Sequence, residues 1–285
     1  MIPTTLDFIS AKGAAMPLLG NDYFTLTEID GMTTVASDLA SVTVPAVDGD
    51  IVNNIQAQPR TVVLYLRLKQ SAGIQAAKSY ILQYVKPKLS GRLQLKQGTK
   101  EIELTGLVET IELPRFQQGC TMAVTMHCSN PFWEDINYIV QQISQIINLH
   151  YFPIPEGGLA FPPEGVPFGA YDTDLTREFD NAGDVETGCR ITIIALGDVV
   201  NPRIWNTQTG EYIGITDTLA GNDEVVINTI KGQKTITKNG ANIIDKITAG
   251  STFLQIGIGV NEFTISADSG IEAVYFTLTY KQKYV

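Results

Sequence analysis

The alternation in "TVVLYLRL", Thr61 to Leu68, sets apolar side chains on one side of an extended segment and predicts a strand. A longer period follows. In "AGIQAAKSYILQYVKP" the residues Ile74, Ala77, Ile81 and Val85 share one helical face, with Ser71 as N-cap and Pro87 as stop. "GRLQLKQGTKEIELTGLVETIELPRF" and "TMAVTMHC" then return to strands, the first two joined by a turn through Lys96-Gln97-Gly98. A helix laid on a small antiparallel sheet buries both apolar faces at once.

The stretch "CSNPFWEDINYIVQQISQIINLH" closes this first region. It turns at Asn130-Pro131, exposes Phe132 and Trp133, and predicts a second helix capped by Asp135. The apolar stripe of that helix is Ile136, Ile139, Val140, Ile143, Ile146 and Ile147. "YFPIPEGGLAFPPEGVPFG" follows, where prolines stiffen and glycines punctuate, so it reads as a connector of limited flexibility. The domain plan is therefore residues 1–135, a helix and Pro/Gly-rich linker over 136–170, and a second domain over 171–285.

From Asn181 onward short strands are separated by turn chemistry, including Thr209-Gly210, Gly221-Asn222, Asn239-Gly240 and Ser269-Gly270. Asn-Gly tolerates the positive φ angles of tight hairpins. Near the end Val274, Phe276, Leu278 and Tyr280 share one face, as a half-buried strand requires. The fold class is mainly β (α+β): a β-rich first domain with one or two helices, then an all-β sandwich.

Composition narrows the function. With 44% hydrophobic and 18% charged residues over 285 positions, the chain can bury two cores. No apolar run approaches the ~18 to 20 residues of a spanning helix, and the N-terminus lacks the pattern of a signal peptide. The three cysteines, Cys120, Cys128 and Cys189, have no metal-type spacing and read as reduced thiols of a protein made in the cytosol. A net charge of −10 opposes binding to nucleic-acid phosphates.

Catalytic and metal chemistry find little to stand on. His127 and Cys128 are neighbours on a strand and point to opposite faces; His150 is the other histidine. Glu134-Asp135 and Asp172-x-Asp174 suggest glycosidase carboxylates, but an acidic helix start and a polar loop account for them as well. A calcium loop at Asp172 fails because Arg177 and Gly183 stand where glycine and glutamate are required. "GIGVN", Gly257 to Asn261, lacks the helix of a dinucleotide fingerprint and reads as a turn. Trp205, Tyr212 and Tyr275 are candidates for stacking on sugars. No catalytic, cofactor-binding or metal residue is assigned, no cofactor is implied, and ligand-binding residues stay open.

An ordered series of turn residues carries a resemblance. It consists of Asn181 with Gly183-Asp184, Asn201-Pro202, Asn206 with Thr209-Gly210, Gly221-Asn222-Asp223, Ile227-Asn228-Thr229, Asn239-Gly240, and Gly259 with Asn261. With these residues the C-terminal half resembles the C-terminal domain of distal tail proteins (Dit) of long-tailed phages with Gram-positive hosts. Asn228 replaces a usual aspartate and Ile258 a usual proline. "VPAVDGDI" (Val44 to Ile51), the strand and helix after Arg60, and the "NPFWED" exit resemble the N-terminal belt domain of that family more loosely.

The resemblance implies a non-enzymatic homo-hexameric ring at the tail tip of a virion, with belt domains closing the ring and galectin-like sandwiches projecting outward. Its implied partners are the tail tube protein, a tail-associated hub or lysin protein and receptor-binding proteins, with no membrane. DNA would cross the channel without specific binding, and Phe132 and Trp133 would fix the angle between domains. The alternatives are a carbohydrate-binding module for host cell-surface polysaccharide and an enzyme acting on cell-wall polymers through Glu134 or Asp172.

Overall fold

The computed structural model describes residues 5–33, 35–43, 45, 48–113, 120–143, 146–148, 169–171 and 175–285. The chain divides into two compact units, residues 1–136 with 283–285, and residues 137–282. The second unit is thus inserted into the first.

In the first unit β1 (Thr5–Ser10), β2 (Ala15–Pro17) and β3 (Phe24–Asp30) precede a ribbon of β4 (Ser37–Val42) and β5 (Ile51–Ala57). Then come β6 (Arg60–Leu68), α1 (Ile74–Tyr84), β7 (Ser90–Gln97), β8 (Lys100–Glu112), β9 (Thr121–Cys128) and β10 (Trp133–Asp135). The large sheet runs β2-β1-β7-β8-β9-β6-β3, entirely antiparallel. Strict alternation builds its core face: Val62, Leu64, Leu66 and Leu68 on β6 meet Met122, Val124, Met126 and Cys128 on β9. Ala77 and Ile81 of α1, and Val85 just past its end, are buried in the same core.

Ile74 begins α1 but stays exposed, and the expected N-cap is displaced. Ser71 lies in a 3-10 turn, and Gly73, at φ 80°, reverses the chain and occupies the cap position with no side-chain cap bond. Lys96 and Gln97 are the last residues of β7, so the hairpin turn starts at Gly98, whose φ is 63°.

The second unit holds β11 (Ile139–Gln142), β12 (Ile146–Asn148), β13 (Gly169–Tyr171), β14 (Thr176–Asn181), β15 (Thr187–Ala195), β16 (Val199–Val200), β17 (Arg203–Asn206) and β18 (Tyr212–Gly214). It continues through β19 (Thr218–Leu219), β20 (Glu224–Asn228), β21 (Thr235–Lys238), β22 (Ala241–Asn242), β23 (Gln255–Ile256), β24 (Gly259–Ser266) and β25 (Val274–Tyr280). The last strand, β26 (Lys283–Tyr284), belongs to the first unit, where it pairs with β10. One sheet runs β11-β25-β15-β20-β21-β22, with β23 also on β15, and the other runs β14-β24-β17-β18. Ile191 and Phe276 from the first and Phe179, Ile204 and Phe263 from the second are buried in one core, the sandwich the turn spacing predicts. Asn239 and Gly240, both at positive φ, close the β21–β22 hairpin.

Residues 136–147 do not form the expected helix. Residues 139–142 are β11 on the edge of the sandwich, with Ile139 opposite Tyr280, and residues 146–148 are β12. β-Branched isoleucine and valine lose rotamer freedom in a helix and suit a pleated surface. The free edge of β25 supplies the pairing that decides between the two. Ile143 is fully buried and Ile139 packs on the core, whereas Val140 faces out. The connector expected after this segment lies mostly outside the described residues.

Candidate assembly site

Trp133, expected to be exposed, is buried in the core of the first unit, while Phe132 is half-buried. Asn130 accepts from the Phe132 N–H at 3.3 Å and shapes the turn before them. The Trp133 indole donates to the Met32 carbonyl (3.2 Å), which also accepts from Arg60 Nη1 (2.6 Å). Met32 leads into the β4–β5 ribbon and Arg60 follows it. The two donors therefore hold both ends of the ribbon at one carbonyl. Arg60 is itself buried, with Nε and Nη2 unpartnered among the described residues, and burial lowers its pKa.

The ribbon that rises from this base has no covered face: every residue of β4 and β5 is exposed. Leu39 lies opposite Ile55 and Ser41 opposite Val52, because the register shifts between Ala40 and Ser41 and leaves Asn53 as an extra residue. That bulge brings Val52 onto the face of Leu39 and Ile55 despite their odd spacing. Val42 and Ile51 sit opposite each other on the other face, next to the tip that carries exposed Asp48 and Asp50. Leu39 is 58% and Ile55 63% exposed. A lone two-stranded ribbon is marginal in water, and clustered exposed apolar side chains make it a candidate contact surface.

The open face of the large sheet is different in kind. Glu112 on β8, Tyr65 on β6 and Glu28 on β3 lie in one cross-strand row, through Ala123 of β9. Asp30, followed by Glu28 and Glu112, raises the pKa of the Tyr65 phenol.

The residues considered for chemistry are dispersed or engaged. Glu134 accepts from Asn130 Nδ2 (2.8 Å) and lies 3.8 Å from Lys283 Nζ. Asp135 is in β10, not at a helix start, and accepts from the Tyr284 hydroxyl at 3.4 Å. Cys128 faces the core and His127 the other side of β9. Burial raises the Cys128 and Cys189 thiols to about 11. Among the described residues no group of three His, Cys, Asp or Glu side chains is placed to hold a metal ion. His150, Asp172 and Asp174 lie outside the described residues.

Gly257 and Ile258 form the turn that leads into β24, and one side chain holds it. Asn261 accepts from Gly257 N and donates to the carbonyls of Gly257 and Gly259, at 2.8 to 2.9 Å. Trp205 and Tyr212 come together on β17 and β18, stacked with centroids 4.4 Å apart, while Tyr275 is on the other sheet. The indole donates to Ser266 Oγ and the Tyr212 hydroxyl to the Ala249 carbonyl. Both polar handles are consumed inside the unit, and the pair acts as a cross-strand staple.

Sequence reasoning missed the ribbon as a site. No strand is predicted over "SDLASV" and "IVNNIQA", and nothing local in them says that neither face is covered.

These features define a two-unit β protein with an exposed two-stranded ribbon on its first unit, and comparison with known proteins shows what that class is similar to. Residues 182–284 match the family model of the siphovirus-type tail component, C-terminal domain (SPP1_Dit). Comparison with curated proteins finds no match. The crystal structure of SPP1 Dit, described as a paradigm of the hub adsorption apparatus in phages infecting Gram-positive bacteria, superposes with a TM-score of 0.67. It is 10% identical, with 98% of this chain and 99% of that chain covered. The phage P2 baseplate in its activated conformation with Ca matches at a TM-score of 0.48 and 10% identity, covering 98% of each chain. The family match is confined to the C-terminal domain, and the fold along the chain is the one seen in SPP1 Dit.

Proposed function

We propose that the protein is a non-enzymatic component of the phage tail tip that closes into a hexameric ring through its first unit. The ring joins the tail tube protein to the hub or lysin protein and carries receptor-binding proteins at its edge, and DNA crosses its centre without specific binding. The observation that carries this reading is the fold shared with SPP1 Dit over 98% of the chain, together with the family match of residues 182–284.

Two surfaces of the first unit support it. The ribbon is a contact arm different from the surface it would meet, and heterologous contacts of this kind close into rings when the rotation permits. The acidic row around Tyr65 suits a channel wall past which DNA slides, because like charge keeps phosphates off the surface.

Negative-stain electron microscopy of the concentrated protein tests the reading. Six-fold averages with an open centre are expected. Averages without rotational symmetry, both for the protein alone and after co-expression with its tail tube protein, would overturn it.

A further inference from the structure

We propose that the β4–β5 ribbon of one copy docks into a basic groove beside α1 of the next copy, and that this contact sets the ring. The inference rests on the ring reading and adds the partner surface to it.

The groove, of about 540 Å³, is lined by Thr25, Arg67, Lys69, Gln70, Ile74 and Cys120 among others. It lies where β3 begins, β6 ends and α1 begins. Its chemistry is the complement of the ribbon. Arg67 is exposed and makes no side-chain hydrogen bond or ion pair among the described residues. Lys69 Nζ gives one donor to the Asn21 carbonyl at 2.6 Å and keeps two more. α1 starts at Ile74 without a side-chain cap, so the positive end of its dipole adds to the same wall.

Asp48 and Asp50 at the ribbon tip are exposed and have no cation partner among the described residues. Behind them Val42, Ile51 and Val52 offer apolar surface, and the groove answers with Ile74, 38% exposed. Leu19, 39% exposed, lies close by, since Lys69 also lines the adjoining hollow formed by Leu18, Leu19, Asn21 and Phe24. An acidic tip on an apolar stem therefore faces a basic groove with an apolar floor. Since one chain carries both halves, a second copy is the occupant that satisfies both. The contact is head-to-tail, the type that closes a ring.

Cys120 makes the test direct. It lines the groove and is partly exposed, whereas Cys128 and Cys189 are buried. Asp48→Cys and Asp50→Cys are each purified, examined by electron microscopy, oxidised mildly and run on non-reducing gels with peptide mapping. The expected result is a disulfide from position 48 or 50 to Cys120 of another copy, in a ladder that ends at six and vanishes with Cys120→Ser. Rings without that link, or a link confined to one chain, would overturn the docking and leave the ring reading standing. Links between copies without six-fold rings would support the docking and sink the hexamer. Neither rings nor links would overturn both.

Charge gives an independent check. Arg67→Glu with Lys69→Glu should abolish the ladder, and adding Asp48→Lys with Asp50→Lys to the same chain should restore it. Failure of the restored chain to assemble while it folds normally would overturn the pairing.

Discussion

Two strand pairs of this protein treat large side chains in opposite ways. On β17–β18 Trp205 and Tyr212 stack on each other and spend their N–H and O–H groups on Ser266 and Ala249. On β4–β5 Leu39, Val52 and Ile55 gather on one face and cover nothing. The first pair is complete within its own unit. The second leaves its apolar side chains to solvent within its own unit, which is why the proposed assembly contact is drawn from the first unit and not from the sandwich.

The contrast can be broken hardest at the base of the ribbon. Trp133→Ala removes a buried indole and is expected to cost about 3 to 5 kcal/mol, read as a lower melting temperature of the first unit by calorimetry. Trp133→Phe keeps most of the bulk, loses the bond to Met32, and should cost about 1 kcal/mol. In the sandwich, fully buried Asn181 donates to the carbonyls of Val185, Ile256 and Gly257 and accepts from Gly183 N. Asn181→Ala strands these groups and should cost about 3 kcal/mol in chemical denaturation, with the ribbon still competent.

Leu39→Ser with Ile55→Ser sharpens the comparison from the other side. The pair should change stability by no more than about 0.5 kcal/mol, yet weaken assembly in sedimentation. A large loss of stability would mean that the ribbon is covered within its own chain.

The smallest effect is electrostatic. Asp223 is held down to about 2 by the Asn239 side chain, the Ala220 N–H and Lys238. Its folded pKa lies below its unfolded one, so its contribution is present above about pH 4 and fades as pH falls towards 2. Asp223→Asn should lower stability at neutral pH, where the contribution is present, converge with the parent protein near pH 2, and so flatten the acid limb of the stability curve in that window.

Much of the architecture is legible in the residues. The alternation of β6 and β9 and the turn chemistry after Asn181 are local signals, and local signals survive into the fold. Residues 136–147 mislead because their isoleucines fit a helical stripe as well as a strand edge, and only the free edge of β25, far along the chain, decides. Trp133 misleads for a related reason: its burial depends on Met32 and Tyr284, which no window around it contains. The ribbon escapes on the same ground, since nothing local in its residues says that neither face is covered.

The insertion of one unit into the other has a consequence in time. Trp133 pairs with Tyr284, which is almost buried, lies under the Lys100 ammonium at 3.2 Å and bonds Asp135. During synthesis, at roughly 5 to 20 residues per second, the residues of β10 emerge on the order of ten to thirty seconds before those of β26. Until then the edge of β10 that β26 will cover stands open. The last strand of the first unit is therefore also the last strand made, and the first unit cannot close its core before the sequence of the second has been synthesised.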